Sequence, residues 1–174
     1  HGWYRRQRQM CIRDRYLSNL TKTKPSDEFQ LAYCDAVFES THEMFSPLNP
    51  TINMTFGEKY NSNKKKLLED ILPNSLNNFE KLLQNSSGNF FIGNDPFYCD
   101  FNAYHHFSMC LILDKNIFSN FPNLKKFINN FEKLNNIKNY LDGRPELVEL
   151  GQSPHFLIGG KKIPTGLNLS LIHI

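Results

Sequence analysis

Between Asp100 and Leu113 the chain is apolar on nearly every side of a helix: Phe101, Ala103, Tyr104, Phe107, Met109, Cys110, Leu111, Ile112 and Leu113. A helix at the surface of a globular protein keeps one polar face, so a helix with none belongs in the middle of a bundle. The residues ahead of it read as a built entrance. Phe90, Phe91 and Ile92 form an apolar run stopped by Gly93, and Asp95-Pro96 supplies a capping carboxylate and a first-turn proline. The expectation is an all-α fold around a buried helix at about 98–113.

Other helices should wrap it. A first one runs from about Asp27 to Phe45, with Ser26 as its cap and Leu31, Cys34, Phe38, Thr41 and Phe45 recurring at three- and four-residue steps. Val37, Met44 and Leu48 widen that face, and Pro47 and Pro50 are expected to end it. Loop signals extend over 49–63. A second helix then starts at Lys64-Lys65-Lys66, read as a solvated edge, and carries Leu68, Ile71 or Leu72, Leu76, Phe79 and Leu83. Pro73 inside it predicts a kink rather than a stop, because the apolar period continues beyond. After Phe121-Pro122 comes a stripe of Leu124, Phe127, Ile128, Phe131 and Leu134, and a short helix over Asn136–Leu141 ends near Gly143. Residues 144–168, with four glycines and three prolines, are assigned no regular element; Phe156, Leu157 and Ile158 could fold them back over the bundle.

The two ends read differently. The string ATG TGT ATA AGA GAC AG encodes Met10-Cys11-Ile12-Arg13-Asp14 and opens the codon of Arg15; its reverse complement, CTG TCT CTT ATA CAC AT, encodes Leu169-Ser170-Leu171-Ile172-His173 and begins that of Ile174. Two protein ends have no physical reason to be reverse complements. Residues 1–15 and 169–174 are therefore read as derived from a sequencing-library adaptor. Setting aside the five arginines and one aspartate of 1–15 leaves 15 basic and 16 acidic residues, a net charge of −1 where the whole chain carries +3. That balance argues against nucleic acid or a membrane surface as partner. No apolar stretch approaches the roughly 20 residues that span a bilayer. Cys34, Cys99 and Cys110, each inside an apolar helical pattern, read as reduced buried thiols of a cytoplasmic protein.

Phe91-Ile92-Gly93 followed by Asp100-Phe101 and Tyr104 resembles the start of the sixth helix of cytosolic glutathione S-transferases. Phe121-Pro122-Asn123-Leu124, with Phe131, Ile137, Tyr140 and Leu141, resembles their seventh and eighth. The resemblance covers 16–141 and is nearest the mu, pi and sigma-like classes. It implies that 16–25 is the end of a thioredoxin-like domain and its linker, that 26–142 is the C-terminal helical domain, and that 143–168 is an irregular extension. It further implies a homodimeric, cytoplasmic transferase that joins glutathione, as co-substrate, to hydrophobic electrophiles, with no resident cofactor. The thiol-activating hydroxyl would lie in the thioredoxin-like domain, so no catalytic residue is expected here and the chain as it stands should be inactive. The alternative is a non-enzymatic dimerisation or scaffold module, as in lens crystallins and an elongation-factor subunit that resemble the same family.

The site residues follow from that resemblance. Asp100 is expected to accept the backbone N–H at the head of its helix. The residue three before it, a Ser or Thr in the family, is Phe97 here and has no acceptor, a departure costing about 1 kcal/mol unless Asp95 moves the cap two residues back. Gly93, Asp95 and Asp100 are thus structural. Glu39, four residues after Asp35, matches a carboxylate that reaches the neighbouring subunit's glutathione and pairs with its amino group. Met44, Phe45 and Leu48 match positions lining the electrophile pocket, although apolar residues at a helix end also suit a core. His105 and His106 point different ways; His106 and Cys110 share a face, but two ligands do not make a zinc site, and no metal is expected. If a second domain packs on this one, an apolar face near 16–20 and on the first and central helices should lie open.

Overall fold

The structure, a computed structural model, describes residues 2–55, 57–148 and 155–164. Among these described residues seven α-helices carry the fold: α1 (Gly2–Thr21), α2 (Glu28–Met54), α3 (Gly57–Lys66), α4 (Leu72–Gln84), α5 (Tyr98–Leu113), α6 (Pro122–Glu132) and α7 (Asn135–Gly143). Helix α5 has the expected bounds. It packs most extensively on α2 and buries Cys99, Asp100, Ala103, Phe107, Cys110 and Leu113; its most exposed residues are Phe101, His105 and Ile112.

Around α5 the core is an aromatic lattice. Phe107 meets Phe79, Phe118 and Phe127 edge to face, and Phe90 does the same with Phe127 and Phe131. Tyr104 stacks on Phe131 at 4.5 Å. Pairs of this kind contribute roughly 0.5–1.5 kcal/mol each beyond their buried area. They fix how α4, α5 and α6 sit together.

Two expectations about prolines are resolved. Pro47 and Pro50 do not end α2, which runs on to Met54. Each removes one helical hydrogen bond, but continuing the helix buries Leu48, Thr51 and Ile52 in line with Thr41 and Met44. The hydroxyl of Thr51 also donates to the Pro47 carbonyl (3.0 Å). The segment read as a loop over 49–63 is therefore the end of α2 and most of α3, which buries Tyr60. At Pro73 the helical path continues as expected. The device is a π-helical turn, Leu67–Ile71, closed by Leu72 N–H to Leu67 O, which places the proline in the first turn of α4. Widening the helix by one residue just ahead of the ring relieves its clash with the preceding turn.

Residues 144–168 were expected to hold no regular element, yet three short antiparallel strands lie there: β1 (Glu146–Val148), β2 (His155–Ile158) and β3 (Lys161–Pro164), in that order in one sheet. The β2–β3 turn is Gly159-Gly160, both at positive φ (56° and 76°), with Ile158 paired to Lys161. That is the backbone a two-residue hairpin needs, and glycine adopts it without strain. Within the helical domain the β pairing among the described residues is limited to the isolated bridge Phe90–Gly93.

Candidate functional site

The outward face of α2 brings charged groups together beside the start of α5. Asp27 caps α2 by accepting the Gln30 N–H at 2.8 Å, one residue later than the expected Ser26. Two turns on, Asp35 and Glu39 lie one above the other. Arg15 of α1 spans them, its Nε 2.7 Å from Asp35 Oδ1 and its Nη2 2.6 Å from Glu39 Oε1. The Tyr98 hydroxyl donates to the same Asp35 oxygen at 2.7 Å, and the Arg15 guanidinium lies 5.3 Å from the Phe38 ring centroid. Burial works against the Arg15 charge, but its bonds to Glu39 and Asp35 outweigh it and hold the guanidinium above its ordinary value. Burial and the Asp35 contact raise the Tyr98 phenol, so it acts as a donor. Glu39 keeps 53% of its side chain exposed and is the more open of the two carboxylates, Asp35 keeping 40%.

The entrance to α5 is built on Asp100, which is wholly buried. One oxygen accepts the Phe97 N–H at 2.8 Å, the other the Phe91 N–H at 3.0 Å, and the Cys99 thiol lies 3.7 Å away. Burial pushes the carboxyl up to about 6, against the two backbone donors that favour its charge. The cap position falls at Phe97, which contributes no side-chain bond, so only half of a capping box is present. Asp95 is exposed and does not move the cap back. Gly93 adopts φ +79° and its carbonyl accepts the Phe90 N–H, closing the tight turn that delivers Phe91 to Asp100. Gly88 lies directly behind that turn: a Cβ there would sit 2.2 Å from the Gly93 carbonyl. This contact and the Phe91 bond were not visible in the sequence, because both join backbone to residues brought near only by the turn.

Between α2 and α5 lies an aromatic and imidazole cluster. Phe45 stacks on His106 at 4.1 Å, and His42 meets His106 edge-on at 5.2 Å. Asn102 Nδ2 reaches the Thr41 hydroxyl (2.6 Å) and His42 Nδ1 (3.1 Å). His106 is 2% exposed, and its Nδ1 is the one buried side-chain nitrogen or oxygen among the described residues with no partner. Burial, then the nearby His105 and His42, push its imidazole down to about 2. It is neutral at any ordinary pH. Met44 and Leu48 stand in the core at 2% and 0% exposure, while Phe45 is half-buried at its edge. No group of three or more His, Cys, Asp or Glu among the described residues could hold a metal ion.

A separate open groove of about 490 Å³ lies where the start of α2 faces the 85–93 turn, lined by Phe29, Tyr33, Leu82, Phe91 and Ile92 with several serine and amide groups. It is not continuous with the Glu39 face in its lining residues.

Residues 42–144 match the family described as "Glutathione S-transferase, C-terminal domain". The chain is 29% identical over 134 residues to a glutathione S-transferase of Plasmodium yoelii yoelii, covering 77% of this chain and 61% of the relative. It is 28% identical over 132 residues to glutathione S-transferase P of Caenorhabditis elegans, covering 75% of this chain and 62% of the relative. The chain thus spans about three-fifths of the length of the curated relatives it matches. Among solved structures, the pi-class glutathione S-transferase of Onchocerca volvulus superposes with a TM-score of 0.70 at 24% identity, covering 76% of this chain and 63% of that one. A prostaglandin synthase D of Nilaparvata lugens superposes at 0.67 with 16% identity, covering 76% and 66%. Likeness at those identities establishes the fold alone.

Proposed function

Because the chain belongs to the glutathione S-transferase C-terminal domain family, we propose that it serves as the helical half of a cytoplasmic, homodimeric enzyme that joins glutathione to hydrophobic electrophiles. The observation that carries this reading is the family match over 42–144, which takes in the buried α5, its Asp100-built entrance and the end of α2. Two features of the structure support it. Glu39 presents a half-exposed carboxylate at the surface of α2; its partner here, Arg15, belongs to the segment read as adaptor-derived, and without that segment the carboxylate is suited to pair with the amino group of a tripeptide bound by the neighbouring subunit. Tyr16, Leu17 and Leu20 of α1 and Phe29 of α2 are exposed apolar groups on neighbouring segments, suited to cover by a further domain.

In this reading Phe45, its ring held against His106, forms a wall of the electrophile pocket, while Met44 and Leu48 belong to the core behind α2. Glutathione is the co-substrate and there is no resident cofactor. The helical half contributes proximity and apolar surface, while a hydroxyl from the thioredoxin-like half stabilises the thiolate. The 174-residue chain alone would then show little turnover. No helix among the described residues is long and apolar enough to cross a membrane.

The test is steady-state kinetics of the chain joined to its thioredoxin-like half, with glutathione and a chromogenic aryl halide. Glu39→Gln should raise KM for glutathione about tenfold, the cost of about 1.4 kcal/mol of lost ion pairing, and leave KM for the aryl halide unchanged. Absence of any conjugation in that enzyme would instead favour the scaffold role.

A further inference from the structure

The side-chain amide of Asn102 joins α5 to α2, and its neighbours fix which way it faces. One end lies 2.6 Å from the Thr41 hydroxyl, 3.1 Å from His42 Nδ1 and 3.3 Å from the Phe38 carbonyl. The single proton of that hydroxyl goes to the Phe38 carbonyl at 2.8 Å, so the Asn102 atom beside Thr41 must be a donor. It is therefore Nδ2, and its second hydrogen makes His42 Nδ1 an acceptor. The other end of the amide, Asn102 Oδ1, accepts from none of the described residues. His106 Nδ1 is the one sealed, unpartnered side-chain polar atom among those residues, so Asn102 Oδ1 stands open to the outside. One turn further along both helices, at three- and four-residue spacing, the contact becomes the Phe45–His106 stack at 4.1 Å. The imidazoles of the two rungs, His42 and His106, meet at 5.2 Å. His42, Phe45 and Asn102 are half-buried and His105, 5.8 Å from the Phe45 ring, is exposed, so this ladder is reachable from solvent. Burial holds the His42 and His105 imidazoles below their ordinary value, which leaves both rings uncharged at neutral pH.

We infer that this ladder selects neutral aromatic electrophiles carrying an N–H or O–H group: the arene packs on Phe45 and the donor bonds Asn102 Oδ1. The inference rests on the transferase reading, which makes Phe45 a wall of the electrophile pocket. Asn102 is the residue that sets the preference. Thr41 and His42 hold its amide from the α2 side, so the acceptor is oriented before any ligand arrives and loses little freedom on binding. An electrophile without a donor would press apolar surface against Oδ1, cutting it off from water with no partner in exchange. A site of this kind discriminates by what it leaves unpaired as well as by what it binds.

The experiment compares two electrophiles on the chain joined to its thioredoxin-like half. One is a benzamide with chlorine para and a nitro group meta to the amide; the other is its N,N-dimethyl amide, which has no donor. Each rate is divided by that of the uncatalysed reaction with glutathione, to remove the difference in intrinsic reactivity. The primary amide should show a kcat/KM about fivefold higher, the worth of one hydrogen bond between neutral groups. Asn102→Leu should abolish that preference by raising KM for the primary amide alone, whereas a purely structural Asn102 would impair both amides together. Phe45→Ala should weaken both amides and keep the preference. Calorimetric binding of the two chlorine-free amides reads the same site without turnover, and should show the same preference in wild type and none in Asn102→Leu. Preferential binding without conjugation would sink the transferase reading and leave the donor-selective site standing. Equal treatment of the two amides by the wild-type protein, in turnover and in binding, would overturn the inference. So would a parallel loss for both amides in Asn102→Leu.

Discussion

His106 sits in the α2–α5 interface as a neutral ring, with Phe45 across one face and an unpartnered Nδ1. Its folded pKa is depressed to about 2 from an ordinary value near 6.5. Above the ordinary value, folded and unfolded chains carry the same charge there. Below it, the unfolded chain takes a proton that the folded one refuses, so stability falls as pH drops from 6.5 toward 2, by at most about 1.4 kcal/mol per pH unit for each such imidazole. Asp100 has the opposite sign. Its folded pKa, about 6, lies above the ordinary carboxyl value, so its contribution is greatest at low pH and is lost as pH rises through 6. Urea unfolding of wild type and His106→Phe at pH 7 and pH 5 separates the two. The variant should lose less stability on acidification, and equal losses would show that His106 titrates normally. Asp100 was legible in the sequence as a helix-head acid. Its bond to Phe91 was not, because nine residues separate the partners and only the Gly93 turn unites them.

At the scale of elements, what the sequence displays best is apolar pattern, and what it hides is compensation. Helix α5 was readable to the residue because apolarity on almost every side admits few placements. The run of α2 through Pro47 and Pro50 was not, since the local cost of a proline is visible and the burial of Leu48 and Ile52 that offsets it is tertiary. The Gly159-Gly160 hairpin had a signal, a two-residue glycine turn between apolar and lysine-bearing runs, outweighed by the glycine and proline content around it. The head of α6 is the clearest hidden device. Phe121 and Pro122 offer no local cap, and Glu80 of α4 supplies one across the interface. Its Oε1 accepts the Asn123 N–H at 2.9 Å and Asn123 Nδ2 at 2.7 Å, and its Oε2 accepts the Leu124 N–H at 2.9 Å. A carboxylate there also opposes the positive end of the helix dipole. Glu80→Ala should destabilise the domain by about 2 kcal/mol, with Glu80→Gln intermediate, read as the shift in urea midpoint at constant slope. A loss below about 0.5 kcal/mol would mean that water caps α6 equally well.

Taken whole, the molecule consists of a cooperative helical domain with attachments of different character. The linker is tied in: Thr23 O accepts the Tyr98 N–H at 2.9 Å, and Lys22, at φ 59°, turns the chain at the end of α1. The strands are not. They pair with one another, Ile158 is open to solvent, and no extensive packing joins them to a helix among the described residues. A three-stranded sheet of three- and four-residue strands has too little apolar surface to be stable by itself in water, whereas the aromatic lattice around Phe107, Phe127 and Phe131 lies within the helices and the turns that flank α5. The sheet should therefore open independently of the domain. Ending the chain after Arg144 should shift the thermal midpoint of the helical domain by less than about 2 °C, since a change of 1 kcal/mol moves a domain of this size by roughly 2–8 °C. Hydrogen exchange on the uncut chain supplies the complementary reading: amides of β1–β3 should exchange far faster than those of α4, α5 and α6. A truncated chain that melts many degrees lower, or strand amides as slow as those of α5, would place the sheet on the bundle and make it part of the same folding unit.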